Sequence, residues 1–158
     1  MQSKTTLFGH PVHQMLIVFP LGLLAMATVF DVIRLATGSG ALAIASYYMI
    51  AAGVISGLVA AVFGLIDWLD IPGNTRARSV GAWHAVGNVV VVVVLFAASW
   101  FVRRVDPAAP PMLAFLLALV GTLLALVTGW LGGELVDRLG VGVHDGANLD
   151  APSSLSRR

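Results

Sequence analysis

Four long apolar stretches constrain the fold of this chain more than any other feature. Each is long enough to cross about 30 Å of hydrocarbon, which takes roughly 20 helical residues. Their approximate limits are Val12–Ile33, Ala41–Ile66, Trp83–Val102 and Met112–Leu131. Only 11% of the 158 residues are charged, against about 25% in an average soluble domain, so too few polar groups remain to cover a globule. We therefore predict an all-α integral membrane protein with four transmembrane helices.

Short segments rich in turn residues join the four stretches. They cover residues 37–40, 70–74 and 106–111, where Gly, Pro, Asp and Asn interrupt the helical pattern. Because connections this short join antiparallel neighbours, we predict an up-down four-helix bundle over residues 12–140. A cytoplasmic segment precedes the bundle at residues 1–11, and a flexible tail follows it at residues 141–158.

The first apolar stretch has a second interpretation, as a cleaved signal peptide. Lys4 precedes the stretch and Ala25-Met26-Ala27 resembles a cleavage site, so processing would leave three helices. The apolar run continues past that site through Phe30, however, which makes it longer than a signal core of about 7 to 15 residues. We therefore expect the first helix to be retained.

The distribution of Lys and Arg predicts the orientation of the bundle. The predicted topology puts more basic residues on the side of the two termini than on the opposite side. The two groups are Lys4, Arg76, Arg78, Arg138, Arg157 and Arg158, against Arg34, Arg103 and Arg104. Since the more basic side of a membrane protein faces the cytoplasm, we expect both termini to be cytoplasmic.

Composition excludes several classes of function. The sequence has no cysteine, so disulfides, iron–sulfur ligation and thiol chemistry are excluded. The formal net charge is +1, and neither a basic run nor a glycine-rich phosphate loop occurs, so nucleic-acid and nucleotide binding have no support. Function must be sought among the ionisable residues of the bundle.

Small residues at four-residue spacing predict where the helices pack, because they let membrane helices approach closely. The fourth stretch carries Gly121, Ala125, Gly129 and Gly133. The second carries Gly53, Gly57 and Ala61, with Ala60 and Gly64 on the adjoining row. The general abundance of Gly and Ala in membrane helices accounts more readily for the second set, so we expect the row on the fourth helix to be the more specific packing surface.

All four histidines fall at one end of the predicted bundle. They are His10 and His13 at the first helix, His84 at the third, and His144 after the fourth. The second and fourth helices run the other way and bring carboxylates to the same depth, namely Asp67, Asp70, Glu134 and Asp137. Imidazoles and carboxylates converging from several helices are donors suited to a transition-metal site. We predict such a site, with the ligands His10, His13, His84, Asp67 and Glu134.

Two kinds of cofactor suit this layer, and the residues leave both open. A b-type haem would be ligated by His13 and His84, with Gly81 and Gly87 providing room. A non-haem ion of Fe, Zn, Cu or Mn would use the imidazoles together with the carboxylates, which a haem pocket rarely needs beside the iron.

Other interpretations of the same layer involve no cofactor. Polar residues are tolerated where a helix leaves the bilayer, so the carboxylates would pair with Arg76, Arg78 or Arg138, and His144 would be a solvated tail residue. Alternatively the layer belongs to a proton- or metal-ion transport pathway, since ionisable groups within membranes commonly mark pathways. A non-catalytic assembly subunit is a further alternative, and whether the protein is an enzyme stays open.

At the opposite end, opposite charges lie three residues apart on two helices. Asp31 with Arg34, and Arg103 with Asp106, have the spacing at which charges pair along a helix surface. We predict two local surface pairs without a function.

Several motifs together carry a family resemblance. They are His10-Pro11-Val12-His13, Phe19-Pro20, Gly64-Leu65-Ile66-Asp67, His84 with Asn88, and Gly132-Gly133-Glu134-Leu135-Val136. From about His10 to about Val143 the chain resembles the bacterial predicted membrane proteins called domain of unknown function 2231. The resemblance implies four transmembrane helices in a bacterial inner membrane and no established activity.

Some relatives in that family are fused to a Rieske iron–sulfur domain, which implies membrane electron transfer and a redox partner protein. The sequence has no cysteine to ligate such a cluster, and we expect no fused Rieske domain. Our leading hypothesis is therefore a metal or haem site at the cytoplasmic face that serves electron transfer. The expected partners are the lipid bilayer and either a redox protein or further copies of the chain.

Overall fold

A computed structural model describes residues 1–156 as a bundle of four long helices. In chain order they cover Val12–Thr37, Gly40–Asp70, Arg76–Arg103 and Met112–Arg138, and they are called the first to fourth helices below. Each is long and apolar enough to cross a membrane, which confirms the predicted all-α membrane bundle. Arg157 and Arg158, which entered the orientation argument, lie outside the described residues.

Three of the four helices contain a local change of geometry. The first consists of Val12–Leu16 and Val18–Thr37. The third consists of Arg76–Val89, a π-helix over Val90–Phe96, and Ala97–Arg103. The fourth consists of Met112–Gly133 followed by a π-helix over Glu134–Arg138. The second helix, Gly40–Asp70, is regular throughout.

A short hairpin precedes the first helix. Strand Thr6–Leu7 pairs antiparallel with strand His10–Pro11. Phe8 and Gly9 form its two-residue loop with φ values of 51° and 85°, the left-handed geometry that tight hairpin turns require. The hairpin places the N-terminal segment across the end of the bundle where the histidines lie.

The helices extend beyond the predicted apolar limits. The third begins at Arg76 rather than Trp83, because the Thr75 hydroxyl accepts a 3.2 Å hydrogen bond from the Arg78 backbone N–H and caps the helix. The first continues to Thr37 and ends at Gly38, whose φ is 72°. Apolar composition marks the part of a helix inside hydrocarbon, whereas capping residues decide where the helix ends.

Small residues bring the helices together, but not as the sequence led us to expect. A Cβ on Gly53 would lie 2.5 Å from Leu24 Cδ2, and one on Gly121 would lie 2.8 Å from Phe96 Cε2. Gly129 and Gly133 have open space beside them. On the second helix, Gly57 and Gly64 also face side chains of other helices, so the expectation that the row on the fourth helix is the more specific one was wrong.

The bundle buries a small core and turns apolar side chains outward. The core cluster comprises Leu24, Ala27, Ile50, Val91, Phe96 and Ala118. Many large apolar side chains on the outer faces are exposed, among them Ile55, Val62 and Leu126. An outer surface of this kind is stable against lipid, so the bilayer is a direct contact of this protein.

Candidate functional site

His13 and His84 lie beside each other at one end of the bundle. They come from the first and third helices, and their ring centroids are 6.4 Å apart with the ring planes at 86°. The predicted convergence of imidazoles from separate parts of the chain is therefore present for these two residues. We call this end of the molecule the histidine end.

Both imidazoles are held in the same way, by a backbone carbonyl of the following helix. His13 Nδ1 lies 2.8 Å from the Ala60 carbonyl oxygen, and His84 Nδ1 lies 2.9 Å from that of Thr128. A carbonyl oxygen only accepts hydrogen bonds, so each Nδ1 carries the proton and donates it. In the neutral ring this tautomer leaves a lone pair on Nε2, the nitrogen available to a ligand.

A glycine makes room for each ring one turn beyond that carbonyl. A Cβ on Gly64 would lie 2.8 Å from His13 Cε1, and one on Gly132 would lie 3.1 Å from His84 Cε1. Any larger residue at either position would displace the imidazole. These glycines, found in the sequence as parts of motifs, therefore have a defined role in placing the rings.

Asn88 and Thr128 add further polar contacts around His84. The Thr128 hydroxyl donates to Asn88 Oδ1 at 3.1 Å, and Asn88 Nδ2 donates to the His84 carbonyl oxygen at 2.8 Å. Asn88 Nδ2 also lies 3.3 Å from His84 Nε2. Our sequence reasoning missed Thr128; a hydroxyl on the fourth helix at the depth of Asn88 was the available signal.

The predicted carboxylate ligands are engaged elsewhere. Asp67 accepts hydrogen bonds from the Ser3 hydroxyl at 2.7 Å and the Lys4 backbone N–H at 3.0 Å. Glu134 forms a 2.5 Å ion pair with Arg76, and this pairing is the one expected if the residue is interfacial. Both carboxylates fasten neighbouring segments together.

The remaining members of the predicted layer lie at its margin. His10 is exposed on the hairpin, with Nε2 3.3 Å from the Ser154 hydroxyl. His144 is exposed, and its Nδ1 accepts a hydrogen bond from the Gly146 N–H. Asp70 pairs with Lys4 at 2.9 Å and Asp137 with Arg138 at 3.6 Å.

Within residues 1–156, no group of three or more His, Cys, Asp or Glu side chains is arranged to hold a metal ion. The ligand set of five stays a prediction, and His13 and His84 are the two members that the structure brings side by side. The glycines expected to make room for haem are packed. A Cβ on Gly81 would lie 2.7 Å from Trp68 Cδ1, and one on Gly87 would lie 2.5 Å from Thr128 Cγ2. Neither glycine opens a slot for a porphyrin.

The opposite end, here called the arginine end, contains a buried ion pair that corrects the prediction of local surface pairs. Arg103 and Asp31 are both 0% exposed and form a bidentate pair of 2.9 and 2.5 Å. Asp106 instead accepts from the backbone N–H groups of Ala108 and Ala109. Charges inside an apolar bundle are costly unless they are paired, so the long-range pair prevails over three-residue spacing.

Together with the pair to Asp31, the remaining donors of Arg103 connect all four helices. Its guanidinium donates to the Ser99 hydroxyl at 3.2 Å, the Ala114 carbonyl at 3.2 Å and the Ser46 hydroxyl at 3.4 Å. The sequence did hold a signal for this pair. Asp31 follows His13 by 18 positions (31 − 13) and Arg103 follows His84 by 19 (103 − 84), so the two charges lie at nearly equal depth.

Comparison with known proteins gives a family but no activity. The family model described as "Predicted membrane protein (DUF2231)" matches residues 9–145, which include both histidines and both buried charges. No curated protein and no solved structure matches the chain. The protein is a four-helix integral membrane protein that belongs to the predicted membrane protein family of domain of unknown function 2231.

Proposed function

We propose that this protein binds one transition-metal ion between Nε2 of His13 and Nε2 of His84. Histidines that bind metals almost always donate their other ring N–H to a carbonyl or carboxylate, which orients the ring and strengthens the ligand nitrogen. Both rings have this arrangement, with Ala60 and Thr128 supplying the carbonyls. The matching hydrogen bonds from the two Nδ1 atoms to backbone carbonyls are the observation that carries the proposal.

The spacing of the rings supports a single ion. A metal–nitrogen bond of about 2.0–2.1 Å places an ion roughly 3 Å from the centroid of each imidazole, so one ion bound to both Nε2 atoms would hold the centroids at most about 6.5 Å apart. The observed separation of the centroids is 6.4 Å, which lies within that limit.

Two imidazoles favour Zn, Cu, Fe or Ni among the ions common in proteins. When copper or iron is bound, it supplies one-electron chemistry, which agrees with the electron-transfer role expected from the sequence. The chain itself holds the two rings and surrounds them with helices. We favour an ion over a b-type haem because Trp68 and Thr128 fill the space beside Gly81 and Gly87.

The charges support a site near the cytoplasmic side of a bacterial inner membrane. Lys4, Arg76 and Arg138 lie at the histidine end with partly or fully exposed side chains. The opposite end carries Arg34, Arg103 and Arg104, which is the smaller group of basic residues in the predicted topology. A redox partner would reach the site from the cytoplasm.

Metal content of the purified protein tests the proposal. The protein in detergent is stripped with chelator, loaded separately with Cu, Zn and Fe, and analysed for bound metal. We expect about one ion per chain, with an affinity at least about tenfold lower in His13→Ala and in His84→Ala, since even the partners of metal ligands contribute tenfold or more. His144→Ala is the matched control, because that imidazole lies in the tail.

Three outcomes would contradict the proposal. Protein that takes up none of these ions would overturn it and leave transport or assembly as the function. Binding that persists in both histidine variants would place the ion elsewhere. A haem absorption band that appears when the protein is produced with haem, and is lost in both variants, would replace the ion by haem.

A further inference from the structure

The two halves of the chain make the same contacts at the histidine end. In each half a histidine bonds to a carbonyl of the next helix and packs on a glycine one turn later. The first set is His13, Ala60 and Gly64, and the second is His84, Thr128 and Gly132. The histidines are 71 positions apart (84 − 13), and both residues of the partner helix are displaced by 68 (128 − 60 and 132 − 64).

The middle of the bundle repeats in the same way. Gly53 packs on Leu24, and Gly121 packs on Phe96, with the Cβ positions of the two glycines 2.5 and 2.8 Å from the side chain they face. The glycines are again 68 positions apart (121 − 53), and Leu24 and Phe96 are 72 apart (96 − 24). The second and fourth helices therefore match at one constant offset over this length.

The arginine end repeats as well. The Ser46 hydroxyl donates to the Ala27 carbonyl at 3.1 Å, and the Ser99 hydroxyl donates to the Ala114 carbonyl at 2.6 Å. Ser46 and Ala114 are 68 positions apart, while Ala27 and Ser99 are 72 apart. Equivalent positions are therefore hydrogen-bonded in each half. In the first half the serine lies on the later helix of the pair, and in the second half it lies on the earlier helix. Asp31 and Arg103, also separated by 72 positions, are equivalent residues that bind each other.

The change of offset from 71 to 72 has a structural cause. It occurs between His84 and Phe96 on the third helix, and the π-helix Val90–Phe96 occupies that interval. A π-helix typically accommodates one extra residue within an α-helix. The third helix therefore corresponds to the first helix with one residue inserted. The wider π-helical turn absorbs that residue, so the residues at the arginine end keep their facing.

We propose that this protein is an internal duplication of one helical hairpin, with the histidine pair on the pseudo-two-fold axis that relates the halves. Parallel repeats of this kind, related by an axis along the membrane normal, occur in other membrane proteins, and their ligand sites lie at the repeat interface. The site takes one centred ion, held by one equivalent imidazole from each half. That statement about the ligand rests on the proposed function, whereas the repeat does not.

Deleting one valine from the run 90–94 tests the repeat. The deletion turns the π-helix into α-helix, so His84 and Arg103 both keep their facing. We expect the variant to elute as one species in detergent and to melt cooperatively within roughly 5 °C of the parent, a small shift for a chain of this size. Deletion of Leu23 is the matched control, because it rotates the rest of the first helix by about 100° and is expected to abolish folding.

The outcomes separate the two proposals. A valine deletion as damaging as the Leu23 deletion would overturn the duplication, whatever the metal content. Pulsed electron paramagnetic resonance of the Cu(II)-loaded parent protein should count two equivalent imidazoles, and the spectrum of a single imidazole would overturn symmetric ligation. If Cu(II), Zn and Fe all fail to bind, the proposed function falls together with the statement about the ligand, while the deletion pair still decides the repeat.

Discussion

The two ends of the bundle accommodate polar groups in opposite ways. At the arginine end, the guanidinium of Arg103 and the carboxylate of Asp31 use their hydrogen-bonding capacity on protein partners and are fully buried. At the histidine end, His13 and His84 each commit one ring nitrogen to a backbone carbonyl. The first arrangement fastens four helices, whereas the second leaves the Nε2 atom of each ring to the proposed ion.

This comparison separates structural polar groups from candidate functional ones. A buried polar network is stable when every member has a partner, and it then leaves nothing to react. An imidazole that is oriented through Nδ1 keeps a lone pair on Nε2, and in His84 the Asn88 amide nitrogen lies 3.3 Å from that atom. The carboxylates at the histidine end follow the first pattern, since Asp67 and Glu134 are occupied by Ser3 and Arg76.

Removing Arg103 should have the largest effect on stability. Arg103→Met leaves the Asp31 carboxylate buried without its counter-charge, and breaking a buried pair in this way costs about 3–5 kcal/mol. The measurement is reversible unfolding of the purified protein in mixed detergent. Arg104→Met is the control, because Arg104 is exposed. The double variant Asp31→Leu with Arg103→Met removes both charges and should recover much of the loss. If Arg103→Met is as stable as Arg104→Met, the buried pair does not hold the helices together.

Adding one methyl group at the histidine end should have a smaller effect. Gly64→Ala forces His13 to move, and overpacking of this kind costs about 1–3 kcal/mol. Unfolding and metal titration together should show both properties reduced. Gly129→Ala, with open space around its new methyl group, should change neither. Unchanged metal binding in Gly64→Ala would mean that the ring position at residue 13 does not matter to the site.

Asn88 should affect the ligand more than the fold. Asn88→Ala removes the amide that bridges the His84 carbonyl oxygen and the Thr128 hydroxyl, and the loss of such supporting bonds lowers metal affinity about 10- to 100-fold. Titration of the apo-protein with Cu and Zn measures the change. Ser56→Ala is the control, since that hydroxyl bonds within its own helix. A loss of stability without a loss of affinity would assign Asn88 to packing.

Thr28 offers the smallest expected effect, between the two ends. Its hydroxyl lies 2.8 Å from that of Thr122 and connects the first and fourth helices. Thr28→Val should cost about 0.6 kcal/mol, the average found for hydrogen bonds between membrane helices. Thr37→Val, which removes a bond within one helix, is the comparison. If Thr28→Val loses nearly as much stability as Arg103→Met, the pair of hydroxyls is as important as the buried ion pair for holding the helices together.

Sequence reasoning predicted that two of the histidines come together, but it did not predict what the carboxylates bind. Antiparallel topology places His13 and His84 at one depth, so the sequence could bring them to the same end. It could not decide whether Asp67 faces the rings or the N-terminal segment, because Ser3 competes for the same carboxylate. Three-residue spacing misled us at Arg103, since burial makes an unpaired charge too costly for a surface pairing to persist.

The sequence by itself determined that the chain crosses a membrane four times, because only runs of about 20 apolar residues satisfy the hydrocarbon core. It also determined the depth of each polar residue, since depth follows from counting along a helix. Only the tertiary structure decided which polar residues meet. Facing depends on the rotation of each helix, and one inserted residue changes it by about 100° unless a π-helix, as at Val90–Phe96, absorbs the difference.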